Sequence, residues 1–248
     1  MSTQQQTKYK ILLIGDRCID VYQFGTVDRI SPEAPVPVFT HTHEESRPGM
    51  AANVFANLLA LGCDVTFISG TISRKTRLID TRSKQHIIRI DHDEYSNPTD
   101  VTLLDLSLYE AIVISDYNKG AVTYESVEYL RKHYTGPIFV DTKKTDVQRF
   151  EGCYVKVNST ENSKLTSTCS DLIVTLGGEG ARFNGHVYPA PKVEVSDVCG
   201  AGDTFLSALT YEYLSSNDIV KAIEFAIKAS AITVQNLGVY APTLEEVD

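Results

Sequence analysis

The chain has 248 residues, of which 42% are hydrophobic and 22% charged, and its formal net charge at pH 7 is −9. This length is enough for one α/β domain with a sizeable core. The acidic balance and the lack of a basic cluster argue against a nucleic-acid partner, and no apolar run is long enough to cross a membrane.

The amino terminus and the cysteines indicate a cytoplasmic protein. Residues 1–6 are polar and lack the apolar segment of a signal peptide. The five cysteines are scattered and form no C-x-x-C pair. Such a set is typical of reduced thiols in the cytosol, and it predicts neither a disulfide framework nor a zinc site.

The first predicted strand, Lys10–Gly15, is a short apolar run that ends at a glycine. Two acids, Asp16 and Asp20, follow it closely. Open α/β sheets bind ligands beyond the carboxyl ends of their strands, so both acids are candidate ligands. From spacing alone, a turn residue at Asp16 and a surface acid at Asp20 remain the alternatives.

The next segment, residues 22–43, combines β-branched residues with prolines and has few helix signals. Pro35 and Pro37 suit an edge strand rather than a central one. We predict a small β-lid that closes over a site and excludes water. An ordinary edge hairpin, or a dimer contact through its exposed face, is the alternative.

A helix is predicted from Gly49 to Leu61, because apolar residues recur there at helical spacing. Asn53 lies in its first turns, where an amide can both donate to and accept from hydroxyl groups. Strands are predicted next at 64–69 and 85–91, and only a short segment separates them.

The middle of the chain alternates strands with helical patterns, which predicts a doubly wound α/β sheet. Buried strands are expected at 111–115, 137–141, 153–157 and 172–176. Polar or glycine-rich turns follow three of them, at Asp116–Gly120, Asn158–Glu161 and Gly177–Gly180. Lys119 in the first of these turns is a candidate phosphate ligand. An ordinary turn lysine is the alternative for Lys119. A helix-capping arrangement is the alternative for Asn158–Glu161, and a generic hairpin turn for Gly177–Gly180.

The most informative turn is Gly200-Ala201-Gly202-Asp203, which connects a β-type run to an apolar helical pattern. Small residues leave backbone N–H groups accessible, and a helix amino terminus adds partial positive charge, so the turn predicts an anion site. An acid beside such a site suits a base that deprotonates a hydroxyl attacking a bound phosphorus atom. An N-capping aspartate is the alternative.

Two common nucleotide-binding patterns are missing. The chain has no G-x-x-x-x-G-K-[S/T] loop, so it is not a P-loop enzyme. Phe205 occupies the place of the third glycine of a dinucleotide-binding motif.

Residues 197–204 resemble the C-terminal signature of the ribokinase-like (PfkB-type) carbohydrate kinases. Residues 29–37, 47–54 and 115–120 are similar to a subgroup, the kinase domain of bacterial heptose 7-phosphate kinase/adenylyltransferases. The resemblance runs from about Lys10 to Pro242, with deletions near 70–84 and 163–170. It implies one kinase domain over 1–248, in a shortened form, with a lid from about 17–47 and 76–94.

The resemblance implies transfer of the γ-phosphoryl group of ATP to a sugar hydroxyl, with Asp203 as the base. The N–H groups of Gly200, Ala201 and Gly202 would stabilise the transferring group. The other implied ligands are Asp20, Gly49, Asn53, Asp116 and Lys119 for the sugar; Lys143, Asn158, Thr175, Gly177, Gly180 and Lys228 for the nucleotide; and Glu161, through water, for Mg²⁺.

The implied substrate is a heptose 7-phosphate, phosphorylated at its anomeric hydroxyl. Met50 replaces a glycine of the family pattern, and Lys228 stands where relatives often have asparagine. A kinase for another small sugar or sugar phosphate, and a sugar-binding or regulatory relative without turnover, therefore remain alternatives. A monovalent-cation requirement and a homodimer formed through the lid are left open.

Overall fold

The computed structural model describes residues 9–247, so the predicted polar tail at 1–6 lies outside the described residues. The strands are β1 (Lys10–Ile30), β2 (Pro37–Met50), β3 (Asp64–Asp80), β4 (His86–His92), β5 (Ala111–Asp116), β6 (Ile138–Thr142), β7 (Tyr154–Asn158), β8 (Leu172–Thr175), β9 (Ala181–Phe183) and β10 (His186–Tyr188). The helices are α1 (Ala51–Ala60), α2 (Tyr124–His133), α3 (Ser159–Asn162), α4 (Ala201–Ser216), α5 (Ile219–Thr233) and α6 (Leu244–Val247).

The strands form one sheet in the order β10-β9-β8-β7-β6-β5-β1-β3-β4, and β2 pairs with β1 outside this path. The strands from β8 through β5 to β1 and β3 are parallel neighbours. Every residue of β5 and β6 is buried, as expected for parallel strands that are covered on both faces.

Two apolar clusters cover the two faces of this sheet, and β1 contributes to both. Ile11 and Leu13 belong to one cluster with residues of α1, α4 and α5, whereas Leu12 and Ile14 belong to the other with residues of α2. This division follows from the two-residue period of a strand, which points successive side chains to opposite faces. The predicted doubly wound α/β fold is confirmed.

The lid is an extension of the core sheet. The first part of β1 pairs with β5 through Ile11–Gly15, and its distal part pairs with β2 from Arg17 onward. β3 stays parallel to β1 along both parts, with a register shift between Gly15 and Arg17.

The short segment between the two predicted strands at 64–69 and 85–91 is therefore largely strand. β3 runs without interruption from Asp64 to Asp80, because its hydrogen bonding to β1 continues past the core. The lid consists of the distal parts of β1 and β3 together with β2 and β4. The lid bounds expected from the sequence, about 17–47 and 76–94, stay a prediction.

The connection from β7 to β8 is also short. It contains the four-residue helix α3, and no helix follows it before β8 begins at Leu172. Among residues 9–247, no helix is long and apolar enough to cross a membrane.

Candidate active site

Asp203 lies in the first turn of α4, and its side chain makes tertiary contacts. It is only 6% exposed. Asn53 Nδ2 donates to Asp203 Oδ2 at 2.8 Å, and the Tyr117 hydroxyl donates to Oδ1 at 3.0 Å. Gly200 occupies the N-cap position of α4 and has no side chain that could cap the helix. The Asp203 carboxylate instead accepts hydrogen bonds from α1 and from the loop after β5. Asp203 therefore does not act as an N-cap.

The pKa of Asp203 is raised to about 6, chiefly by burial and also by the nearby Asp141 carboxylate. The hydrogen bonds from Asn53 and Tyr117 and the charge of Lys156 act in the opposite direction. A carboxylate with this pKa is mostly ionised at neutral pH yet basic enough to accept a proton, which suits a general base.

Gly200 is required where α1 and α4 meet. Its φ is +80°, in the left-handed region that favours glycine. A side-chain carbon built on it would lie 2.7 Å from Asn53 Nδ2. The absence of a side chain therefore lets Asn53 reach Asp203 across the helix start.

A polar cavity of about 460 Å³ opens at Asp203 and the helix start. Two lysines, Lys143 and Lys156, line it together with Gly200, Gly202 and Asn158. Backbone N–H groups at a helix start and ammonium groups both attract anions, so this cavity suits phosphate groups.

An apolar cavity of about 390 Å³ adjoins the polar one, and Thr175, Gly177 and Gly202 line both. Its other walls include Gly180, Val234 just after α5, and apolar side chains of α4 and α5, namely Phe205, Ile227 and Ala231. An apolar cavity joined to a cationic one suits a ligand with a planar apolar end and an anionic end. Lys228 is exposed and lines neither cavity, so its nucleotide contact stays a prediction.

On the lid side, Asp20 is buried and forms an ion pair with Arg77 of β3. Gly49 lies against this acid: a side-chain carbon built on Gly49 would be 2.0 Å from Asp20 Oδ2 and 2.6 Å from Cys18 Sγ. Gly49 is opposite Cys18 in the strand register, and only glycine fits there beside the Asp20 carboxylate. The pairing of β1 with β2 and β3 brings the predicted sugar ligands Asp20 and Gly49 together.

Two predicted sugar ligands have other partners in the structure. Asp116 is buried and accepts hydrogen bonds from Thr142 and Lys144, both at 2.7 Å. The Lys119 ammonium pairs with Asp93, and its backbone N–H donates to Asp16. Neither residue lines the two cavities, so their contact with a sugar stays a prediction.

Asp16 organises the loop after β5. Its carboxylate accepts backbone hydrogen bonds from Tyr117, Lys119 and Ala121, at 2.9 to 3.1 Å. Because it fixes the backbone at Tyr117, Asp16 helps to hold the Tyr117 hydroxyl against Asp203.

Asn158 and Glu161 form the capping box of α3, which is the arrangement that spacing alone left open. Asn158 Oδ1 accepts from the Glu161 N–H at 2.9 Å, and Glu161 Oε2 accepts from the Asn158 N–H at 2.8 Å. The other oxygen of Glu161 pairs with Lys143. Within residues 9–247, no group of three or more acidic, histidine or cysteine side chains could hold a metal ion.

Sequence reasoning missed four side chains at this site: Arg77, Tyr117, Asp141 and Lys156. Tyr117 falls within the similar segment 115–120 and Asp141 ends the predicted strand 137–141, but neither received a role. A signal existed for Asp141, because an acid at the end of a buried strand needs a partner. That partner, Lys156, lies opposite it on the neighbouring strand.

Solved structures with a similar course of the chain are sugar and nucleoside kinases. Ribokinase from Thermotoga maritima matches with a TM-score of 0.73 at 18% identity, over 97% of this chain and 98% of that one. Phosphofructokinase-2 from Escherichia coli matches with a TM-score of 0.72 at 15% identity, over 97% of each chain. These identities show the fold alone. The fold is that of the ribokinase-like kinases.

Sequence comparison finds relatives within this class. Residues 155–246 match the pfkB family of carbohydrate kinases. The bifunctional protein HldE of Nitratiruptor sp. is 33% identical over 97% of this chain, and that of Helicobacter pylori is 31% identical over 96%. This chain is therefore similar to PfkB-type carbohydrate kinases over residues 155–246, and to the two HldE proteins over nearly its whole length.

The chain spans 64% of the length of the Nitratiruptor relative and 65% of that of the Helicobacter relative. The alignment to the first extends over 301 positions, more than the 248 residues of this chain. The relatives therefore carry segments within the matched region that this chain lacks.

Proposed function

We propose that this protein is a sugar kinase that transfers the γ-phosphoryl group of ATP to a sugar hydroxyl. The observation that carries the proposal is the position of Asp203. Its carboxylate lies at the start of α4, lines the polar cavity, and is joined through Asn53 to the helix that follows the lid.

In this mechanism Asp203 accepts the proton of the attacking hydroxyl as its oxygen bonds to phosphorus, and the bond to the leaving ADP oxygen breaks. The N–H groups of Gly200, Ala201 and Gly202 would stabilise the charge on the transferring group. Closure of the lid over the sugar excludes water, which competes as an acceptor.

Mg²⁺ is expected to accompany the nucleotide and to neutralise part of its phosphate charge. Mg²⁺ keeps several waters and takes few carboxylates, so Glu161 suits a contact through water beside the phosphates. Thr175 and Gly177 would border the nucleotide where the two cavities join, and Gly180 would border it in the apolar cavity.

The proposed substrate is a heptose 7-phosphate, phosphorylated at the anomeric hydroxyl. Besides the motif resemblance, the charge of the lid supports a phosphorylated sugar. Lys75 and Arg77 are two residues apart on β3 and point to the same face as Asp20. Lys75 Nζ lies 5.6 Å from the centre of the Tyr117 ring, at the edge of the site.

An assay of ADP formation across heptose 7-phosphate, fructose and ribose tests both proposals. Asp203→Asn should lower kcat by at least about 10²-fold, the low end for loss of a general base. Asp64→Asn, at an exposed acid of β3, is the matched control and should leave kcat unchanged. Unchanged turnover in Asp203→Asn would reject the role of Asp203. Sugar binding without turnover in the wild type would favour a binding or regulatory protein.

We also propose a homodimer formed through the lid. Ile19, Ile72, Ile88 and Ile90 are exposed and, by strand alternation and register, share the face of the lid opposite Asp20. Light scattering should report a dimer that Ile88→Asp converts to a monomer, and a monomeric wild type at high concentration would reject it. Cytoplasmic action is proposed because all five cysteines are free thiols.

A further inference from the structure

Lys156 is a buried lysine in the wall of the polar cavity. It lies on β7, is 3% exposed, and its ammonium donates to Asp141 Oδ2 at 2.7 Å. The two residues are opposite each other on the parallel strands β6 and β7. Charged side chains are rarely buried this deeply unless they are paired.

The pairing leaves part of both groups unsatisfied. An ammonium group has three N–H donors, and in the described part of the chain Lys156 has hydrogen bonds only to Asp141. Asp141 Oδ1 is buried without a hydrogen-bond partner. A buried ion pair repays its desolvation only when further hydrogen bonds satisfy the remaining donors and acceptors. The remaining donors of Lys156 therefore indicate a ligand with hydrogen-bond acceptors.

The ammonium lies beside the predicted anion site. A side-chain carbon built on Gly202 would be 2.8 Å from Lys156 Nζ, so the ammonium packs against the small residue at the helix start. Lys156 and Gly202 line the same cavity as Asp203, and the charge of Lys156 acts on the Asp203 carboxylate. Lys143, by contrast, is engaged by Glu161.

We propose that Lys156 is a phosphate ligand of this kinase: its ammonium, held by Asp141 against Gly202, binds the phosphoryl group that the nucleotide transfers. The proposal rests on the proposed kinase function. The Lys156 ammonium would then be a fixed cation of the site, next to the backbone N–H groups at the start of α4. Charge-assisted hydrogen bonds of this kind are stronger than neutral ones.

The proposal predicts opposite effects for the two members of the pair. In metal-free titrations with tripolyphosphate, Lys156→Met should weaken binding by about 10- to 100-fold, the loss expected for one charged hydrogen bond. Asp141→Asn should retain or strengthen binding, because it removes a carboxylate that competes for the ammonium. Adenosine affinity should change little in either variant. Lys221→Met, an exposed lysine of α5, is the control for an equal change in net charge.

A purely structural ion pair predicts a different result. Both single variants would then weaken binding of tripolyphosphate and adenosine alike, through loss of folded protein. If Lys156→Met does not fold, the double variant Lys156→Met/Asp141→Asn removes both charges and should show the same selective loss. Equal tripolyphosphate binding in the folded double variant and the wild type would overturn the proposal.

The tripolyphosphate titrations and the assay of ADP formation together separate this proposal from the kinase function. A wild type that forms ADP with a sugar, but whose Lys156 variants bind tripolyphosphate normally, rejects the role of Lys156 alone. A wild type that forms no ADP with any sugar rejects the kinase function, and with it the premise of this proposal.

Discussion

Asn53 and Asp203 are 150 residues apart in the chain, yet the amide of one donates a 2.8 Å hydrogen bond to the carboxylate of the other. The bond joins α1, which follows the lid, to α4, which begins at the phosphate cavity. The predicted sugar ligand and the predicted base are thus one hydrogen-bonded unit. The protonation state of Asp203 depends on this unit.

The first prediction concerns pH. Burial raises the pKa of Asp203 to about 6, and the base acts only when it is ionised. The value of kcat should therefore be constant above pH 7 and fall as pH decreases through about 6, approaching tenfold per unit. A pH–rate profile checks this, and the residual rate of Asp203→Asn should lack that acid limb. An acid limb in the wild type near pH 4 would contradict the burial argument.

The second prediction concerns the two donors to Asp203. Asn53→Ala or Tyr117→Phe removes a hydrogen bond that stabilises the ionised carboxylate, so each should raise the pKa of Asp203. The acid limb of kcat should then move to higher pH in both variants. Tyr124→Phe is the control, since the Tyr124 hydroxyl accepts from the Asp146 N–H away from the site. Limbs that coincide in all three variants would show that these donors do not tune the base.

The third prediction concerns Met50, which has a φ of 56° and a ψ of −134° just before α1. Residues with a side chain rarely adopt this conformation, and it costs about 1–3 kcal/mol. Met50→Gly and Met50→Ala both remove the buried side chain, but only glycine relieves the strain. We expect Met50→Gly to be more stable than Met50→Ala by about 1–3 kcal/mol in urea denaturation.

This order is the reverse of that in an ordinary helix or strand, where glycine is less stable than alanine. Equal stabilities, or a more stable alanine variant, would mean that the backbone at position 50 is not strained. The pair also isolates the departure from the family pattern, because both variants lose the same methionine side chain.

The fourth prediction concerns the ion pair of Arg77 and Asp20, whose side chains are 10% and 8% exposed. Arg77→Met leaves a buried carboxylate unpaired, which should lower the free energy of unfolding by about 3–5 kcal/mol. The same substitution in an Asp20→Asn background should cost less. Denaturation of the four proteins gives the coupling energy. Arg82→Met, which breaks an exposed pair with Asp28, should cost at most about 1 kcal/mol.

Identical costs of Arg77→Met in the two backgrounds would show that the pair is not coupled. Such a result would also leave Asp20 available to a ligand without competition from Arg77.

Much of the site could be predicted where one short stretch contains the whole feature. The turn at Gly200–Asp203 shows its small residues, its acid and the following helical period within a few positions. Asn53 was likewise placed in the first turns of a helix, whereas Gly49, predicted to open that helix, belongs to β2 and α1 begins at Ala51. The point at which β3 passes from the core sheet into the lid was harder to predict from the sequence. The strand continues through Gly70, and the residue pattern does not change there.

The sequence by itself determined the alternation of strands and helices, the two-sided burial of the central strands, and the glycine-rich helix start that carries Asp203. These are local properties, since the spacing of apolar residues reports whether a side chain faces a core. Only the tertiary structure decided that Asn53 and Tyr117 hold Asp203, that Arg77 pairs with Asp20, and that Lys156 lies opposite Asp141. The physical reason is that strand order and register select the distant partner, and periodicity carries no information about either.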